Sequence, residues 1–286
     1  MLLWYNQRAI DTNLRTIVDH QVEVETQCFK LYFLCFGACA YGYEVGCRPI
    51  LFLDATHIKH RLYRVILAAS ALNGNNELYT IVYAIADVET HDNLLWFLTN
   101  LKKALLSDRT TIFISDRGKG LKEAILAIFP NHHNAYCFQH ITQNFNDQAA
   151  GKCRPTMKKL LVKILKRIVY AVTEHEYAAA MRAMELQSLE AKQCVLQNDV
   201  DHWSHALFPE QRFGELYSNL AGSFNAWILD TQTLPILHML QQIPCKHVCT
   251  VIACNGESVS GYVSPFYNKE MYKVAYQQKI SINPNI

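Results

Sequence analysis

The stretches Ile50-Leu51-Phe52-Leu53-Asp54 and Thr111-Ile112-Phe113-Ile114-Ser115-Asp116 decide how this chain folds. Each is a short apolar run that stops at an aspartate. A run without polar alternation reads as a strand covered on both faces, as in the interior of a parallel or mixed sheet. Two such strands side by side would bring their carboxylates together. Paired carboxylates are hard oxygen ligands, suited to a divalent metal and to phosphoryl transfer. Taken alone, an aspartate where a strand runs out also fits a turn or cap.

Outward from these runs, Tyr63–Ala71 and Glu77–Ala86 read as two more strands. The turn Asn73-Gly74-Asn75-Asn76 between them is a strong hairpin signal. A helix is predicted from about Asp92 to Leu106, with Leu94, Leu95, Leu98, Leu101 and Leu105 on one face. Lys119 to Phe129 reads as a second helix stopped by Pro130, and His133 to Cys137 as a last short strand. The order strand, strand, strand, helix, strand, helix, strand is an α/β layer architecture, antiparallel first and parallel later.

Upstream, Val22-Glu23-Val24-Glu25 alternates like an exposed strand. The apolar stretch Leu31 to Tyr43 reads as buried strand or helix and is too short to span a bilayer. Downstream, from about Ile141 to Ala206, the pattern is helical throughout, with Met157–Tyr170, Glu174–Met184 and Leu186–Leu196 carrying helical spacing. Ser218 or Asn219 would cap a further helix, Leu220 to about Asp230. Pro235-Ile236-Leu237 starts another helical piece, and from Pro244 cysteine and histidine gather.

Of 286 residues 50% are hydrophobic, with 11 Gly and 8 Pro, so the chain buries a core and is not disordered. A net charge of +2 is a weak electrostatic footprint for a nucleic-acid binder, so any basic surface must be local. The densest such surface is Lys152, Arg154, Lys158, Lys159, Lys163, Lys166 and Arg167. With Leu160, Leu161, Ile164 and Leu165 between them, it reads as an amphipathic helix. Its basic face is either solvated or a phosphate contact with strong salt dependence. The ten cysteines are scattered through apolar segments, and the start Met1 to Arg8 has no secretory pattern, so reduced intracellular thiols are expected.

Several ordered motifs resemble the Mutator-like (MULE) transposase domain. They are Gly46-Cys47-Arg48-Pro49, Leu53-Asp54-Ala55-Thr56-His57-Ile58-Lys59, Leu72-Asn73-Gly74-Asn75-Asn76 and Trp96-Phe97-Leu98. Ser115-Asp116-Arg117-Gly118-Lys119-Gly120-Leu121, Phe129-Pro130, Tyr136-Cys137-Phe138-Gln139-His140 and Ser218-Asn219-Leu220-Ala221-Gly222-Ser223-Phe224-Asn225 continue the series. Ile243-Pro244-Cys245-Lys246-His247-Val248 resembles the second half of a SWIM zinc finger, an arrangement found in plant members of the family. The resemblance implies a ribonuclease-H-like mixed sheet with an all-helical insertion, and DNA strand cleavage and transfer by three acids with magnesium or manganese. Asp54 and Asp116 match the first two acids, and Cys137 and His140 the Cys-x2-His motif. By charge and position rather than by the resemblance, Lys59, Arg117 and Lys119 are candidates for phosphate contact with DNA, as are Lys158, Lys159, Lys163, Lys166 and Arg167 where that face is not simply solvated. The implied partner is DNA, at transposon ends or regulatory sites, in the nucleus. Self-association is a further expectation, and a membrane is not.

Two departures matter. The third acid position is Gly222, which has no ligand atom. Asp230 lies eight residues further on, roughly 12 Å along a helix, and Glu215 precedes that helix, whereas Asp87 and Glu89 are better placed to substitute. The finger keeps Cys245 and His247 as zinc ligands but lacks its upstream Cys-x-Cys pair; Cys249 and Cys254 are the only nearby replacements. The expected organisation is an N-terminal segment 1–48, a transposase core 49–140, a helical insertion 141–217, a last catalytic-type helix with its successor 218–242, and a partial finger with tail 243–286. The expected function is a transposase-derived DNA-binding protein defective in cleavage. The alternatives are an active DDE-type enzyme with a substitute acid and a domesticated transcriptional regulator.

Overall fold

The computed structural model describes residues 2–23, 29–57, 64–105, 107, 109–116, 118–149 and 153–216. Seven strands form one sheet: β1 (Ile17–Val22), β2 (Phe29–Cys35), β3 (Ile50–His57), β4 (Val65–Leu72), β5 (Leu78–Ala86), β6 (Ile112–Ser115) and β7 (His133–Tyr136). Their order across the sheet is β1-β2-β5-β4-β3-β6-β7. Neighbours from β1 across to β3 are antiparallel, and β6 and β7 extend the sheet in parallel. The α/β mixed sheet expected from the apolar runs is therefore present. β4 is buried along its whole length, which is why its sequence shows no alternation. At the β4–β5 turn, Asn73 Oδ1 accepts the N–H groups of Asn75 and Glu77, each at 2.9 Å, and Asn76 takes a positive φ of 60°.

The helices α1 (Leu2–Thr12), α2 (Gly37–Gly46), α3 (His91–Ala104) and α4 (Lys119–Ile128) accompany the sheet. Phe97, Leu98 and Leu101 of α3 and Leu121, Ala124 and Ile125 of α4 pack in one core with Phe33, Leu51, Leu53 and Leu67. The apolar stretch Leu31 to Tyr43 resolves into both of its readings. β2 occupies its first part and α2 its second, divided at Phe36. A Cβ on Gly37 would collide with the carbonyl of Leu14, so the close approach there requires glycine. The strand expected around Val22–Glu25 is, in its described part, the end of β1. Both β1 and β2 come from the segment before residue 48 and add to the sheet's edge.

Between Phe138 and Leu196 the described residues form four helices, α5 (Phe138–Gln148), α6 (Pro155–Tyr170), α7 (Glu174–Gln187) and α8 (Leu189–Leu196), followed by a 3-10 turn at Val200–His202. Local chemistry sets the ends. Pro155 opens α6, Thr173 and Glu176 form a capping box on α7, and Ser188 caps α8. These helices have their own core, with Leu161, Leu165, Ile168, Met184 and Val195 around Trp203, which is fully buried. Tyr136 and Phe138 belong to that core too, so it grows directly from the end of β7. Among the described residues Cys35, Cys39, Cys47, Cys137, Cys153 and Cys194 form no disulfide, and burial pushes the Cys35 thiol up to about 12. Among the described residues no helix is long and apolar enough to cross a membrane.

Candidate functional site

The parallel register of β3 and β6 builds the site. Ile50 pairs with Ile112, Leu51 with Phe113 and Phe52 with Ile114. Continuing that register by two residues sets Asp54 across from Asp116. Side chains alternate along a strand, and Ile50, Phe52, Ile112 and Ile114 share one core with Cys137. Alternation along β3 turns Asp54 toward the face that Cys137 occupies, and at the strand ends both aspartates also border a pocket whose apolar lining belongs to the core on the other face. β3 runs on to His57 rather than stopping at Leu53, so Asp54 lies within the strand. It stands where the pairing to β6 ends, which is what opens space beside it.

Local contacts hold the two carboxylates. Thr56 Oγ1 donates to Asp54 Oδ2 at 3.4 Å, and the Gly118 N–H donates to Asp116 Oδ1 at 3.1 Å. The buried Ser115 hydroxyl donates to the Asp116 carbonyl at 2.9 Å, and the Cys137 N–H donates to the Ser115 carbonyl at 2.9 Å. The end of β7 is thereby tied to the end of β6. Cys137 and His140 share a side-chain hydrogen bond across the first turn of α5. That bond raises the imidazole pKa, burial opposes it, and the charges of Cys137, Asp116 and Asp54 add to the rise. His140 thus senses both aspartates.

A third carboxylate reaches the same place. Leu53, Asp54, Glu89, Leu94, Asp116 and Leu121 are among the residues lining one pocket. Burial lifts the Glu89 carboxyl above its usual range, the Asp116 charge adds to that, and His57 acts in the opposite direction. Asp87 does other work. Its Oδ1 accepts from Asn93 Nδ2 and from the Val88 N–H, each at 2.8 Å, fixing the approach to α3. Of the two acids left open by the sequence, the pocket holds Glu89. The donors are all hard oxygens, which is the set magnesium or manganese takes. Among the described residues, no three His, Cys, Asp or Glu side chains converge closely enough to hold an ion by themselves.

The basic residues divide. On α6, Lys159, Lys163, Lys166 and Arg167 are exposed and Lys158 is half-buried, while Leu161, Ile164, Leu165 and Ile168 face the helical core. Lys119 opens α4. Lys59, Arg117, Gly222, Cys245 and His247 lie outside the described residues, as does the helix expected after Asn219. Sequence reasoning passed over the clasp between the insertion and the sheet. Lys122 Nζ of α4 meets Asp199 Oδ2 at 3.0 Å, and the Tyr136 hydroxyl donates to the same oxygen at 3.1 Å. Asp199 has a left-handed φ of 47°, so it follows no helical pattern that would have marked it.

Residues 50–144 match the family model of the MULE transposase domain. The matched span runs from the start of β3 into α5 and contains Asp54, Glu89, Asp116, Cys137 and His140. The mixed sheet fits the ribonuclease-H-like fold of such a transposase domain. A comparison with curated proteins finds no match.

Proposed function

We propose that this chain, carrying a MULE transposase domain, is a transposase derivative that engages DNA in the nucleus and is defective in strand cleavage. The observation that carries this reading is that Asp54 and Asp116 line one pocket, set against a glycine, Gly222, where the resemblance calls for the third acid. Asp54 and Asp116 would hold magnesium or manganese, with water and phosphate oxygens completing the shell, as is usual for that ion. Bound there, the ion supplies Lewis-acid polarisation of a phosphoryl oxygen. Asp116 is oriented by the Gly118 N–H, and the Cys137 hydrogen bond, together with the charges of both carboxylates, raises the affinity of His140 for a proton. The exposed face of α6, with Lys59, Arg117 and Lys119, would follow the DNA backbone. Cys245 and His247 would supply half of a zinc site.

The test is cleavage of duplex DNA bearing transposon ends by the purified chain with magnesium. Loss of one organising charge commonly costs on the order of a hundredfold or more in rate, so cleavage should be at background and Gly222→Glu should raise it. Robust cleavage by the unaltered chain would overturn the reading. A second reading is favoured by the place of Glu89 in the pocket: this residue replaces the missing acid and the chain cleaves DNA. In that case Glu89→Gln removes activity as completely as Asp116→Asn does.

A further inference from the structure

Another cavity lies where the helical insertion hands the chain back, at residues 205–214. It has a volume of about 280 Å³ and is lined by Val172, His205, Glu210, Gln211, Arg212 and Phe213, among others. Arg212 is the unusual member, because it is a cation with only 4% of its surface exposed. Its Nη1 donates to the Trp203 carbonyl at 3.0 Å and its Nη2 to the Tyr136 carbonyl at 3.4 Å. The guanidinium carbon lies 5.2 Å from the centre of the Phe208 ring. All of these partners are neutral. Arg212 Nε is buried without a hydrogen-bond partner, and so is His205 Nε2. Among the described residues no carboxylate pairs with Arg212. Glu210, the acid of the lining, is half-exposed and lies 3.6 Å from His133 Nε2.

A buried charge is costly unless it is paired or binds a ligand. Arg212 Nε is a donor, and His205 Nε2 is one in the tautomer protonated there, so the two side chains that line this cavity complement an oxyanion. We propose that this cavity binds a phosphate-type oxyanion, with Arg212 supplying the charge and His205 and Gln211 the flanking polar groups. A guanidinium fork suits phosphate, and the volume admits a phosphoryl group together with a substituent. Both nitrogens are enclosed in the cavity wall, so a direct bond requires local opening of that wall. Before that, the charge acts through the wall. The site is separate from the carboxylate pocket and needs no cleavage activity.

The test uses the full chain and inorganic phosphate, titrated against chloride at matched ionic strength and followed by melting temperature and by 31P line width. A saturable rise in both is expected. Arg212→Met should abolish it. Because that variant also loses two carbonyl contacts, Gln211→Glu provides a second probe at an exposed position, where the added negative charge should weaken phosphate on the order of tenfold. No saturable phosphate effect overturns the proposal, as does one that survives both substitutions. An equal effect from acetate overturns the phosphate assignment in favour of a carboxylate. Displacement of phosphate by a short duplex identifies the ligand as a backbone phosphodiester, and persistence of phosphate beside the duplex identifies a free phosphoryl compound; both uphold the site.

Discussion

Asp116 is held by backbone geometry more than by side chains. The Gly118 N–H fixes one carboxylate oxygen, and a Cβ on Gly118 would lie 3.2 Å from that oxygen. Gly118→Ala should therefore displace the carboxylate and weaken manganese binding severalfold, readable by electron paramagnetic resonance, with little change in melting temperature. Glu89 reports on its neighbour. Asp116→Asn removes one of the two influences that lift the Glu89 carboxyl, so its titration, followed by carbon NMR, should move down while staying above the usual value because burial persists. An unmoved titration would mean that the two acids do not sense each other. Asp54 and Asp116 were legible in the sequence because each closes an apolar run. Glu89 was legible only as one of two acids near a strand end. What separates it from Asp87 is the Asn93 side chain three-dimensionally close to one and not the other, which no spacing rule contains. Arg212 sits in Pro209-Glu210-Gln211-Arg212-Phe213-Gly214, a stretch without periodicity, and its burial left no sequence signal.

Among the elements, a large side chain and a polar clasp are two of the features that hold the helical insertion. Trp203 is fully buried, and its Nε1 donates to the Asn198 carbonyl at 2.7 Å. Trp203→Ala should cost about 3–5 kcal/mol, and urea unfolding would measure it. The clasp is weaker, since its carboxylate is half-exposed. A hydrogen bond from Lys122, opposed by slight burial and supported by Tyr136, holds the Asp199 carboxyl below its usual range. A carboxyl with a lowered folded-state pKa stabilises fully above its unfolded value, about 3.9, and that contribution is lost as pH falls through the lower folded value. Asp199→Asn should thus reduce stability at neutral pH by no more than about 1 kcal/mol, and the difference from the unaltered chain should vanish in acid. The strands β3 to β7 and the helices α3, α4, α6 and α7 were readable because local pattern and tertiary burial agree there. The division of Leu31–Tyr43 into strand and helix was not. It depends on Gly37 meeting the Leu14 carbonyl, a contact made by the folded chain and not by the local pattern.

For the whole molecule, charge is the useful observable. With a net charge of only +2, DNA affinity must come from a restricted face. Lys159, Lys163, Lys166 and Arg167 stand exposed along α6, so replacing all four with glutamine should lower the salt dependence of DNA binding by about three to four in log–log slope. Fluorescence anisotropy over a salt series would measure this, and an unchanged slope would return the face to solvent. The strands that bring Asp54 and Asp116 to one pocket are paired through the ladder between β3 and β6. The strands that carry the two aspartates are thus paired to each other within the described core. Substitutions elsewhere in the chain can then change what the pocket does while leaving in place the strands that carry its two aspartates.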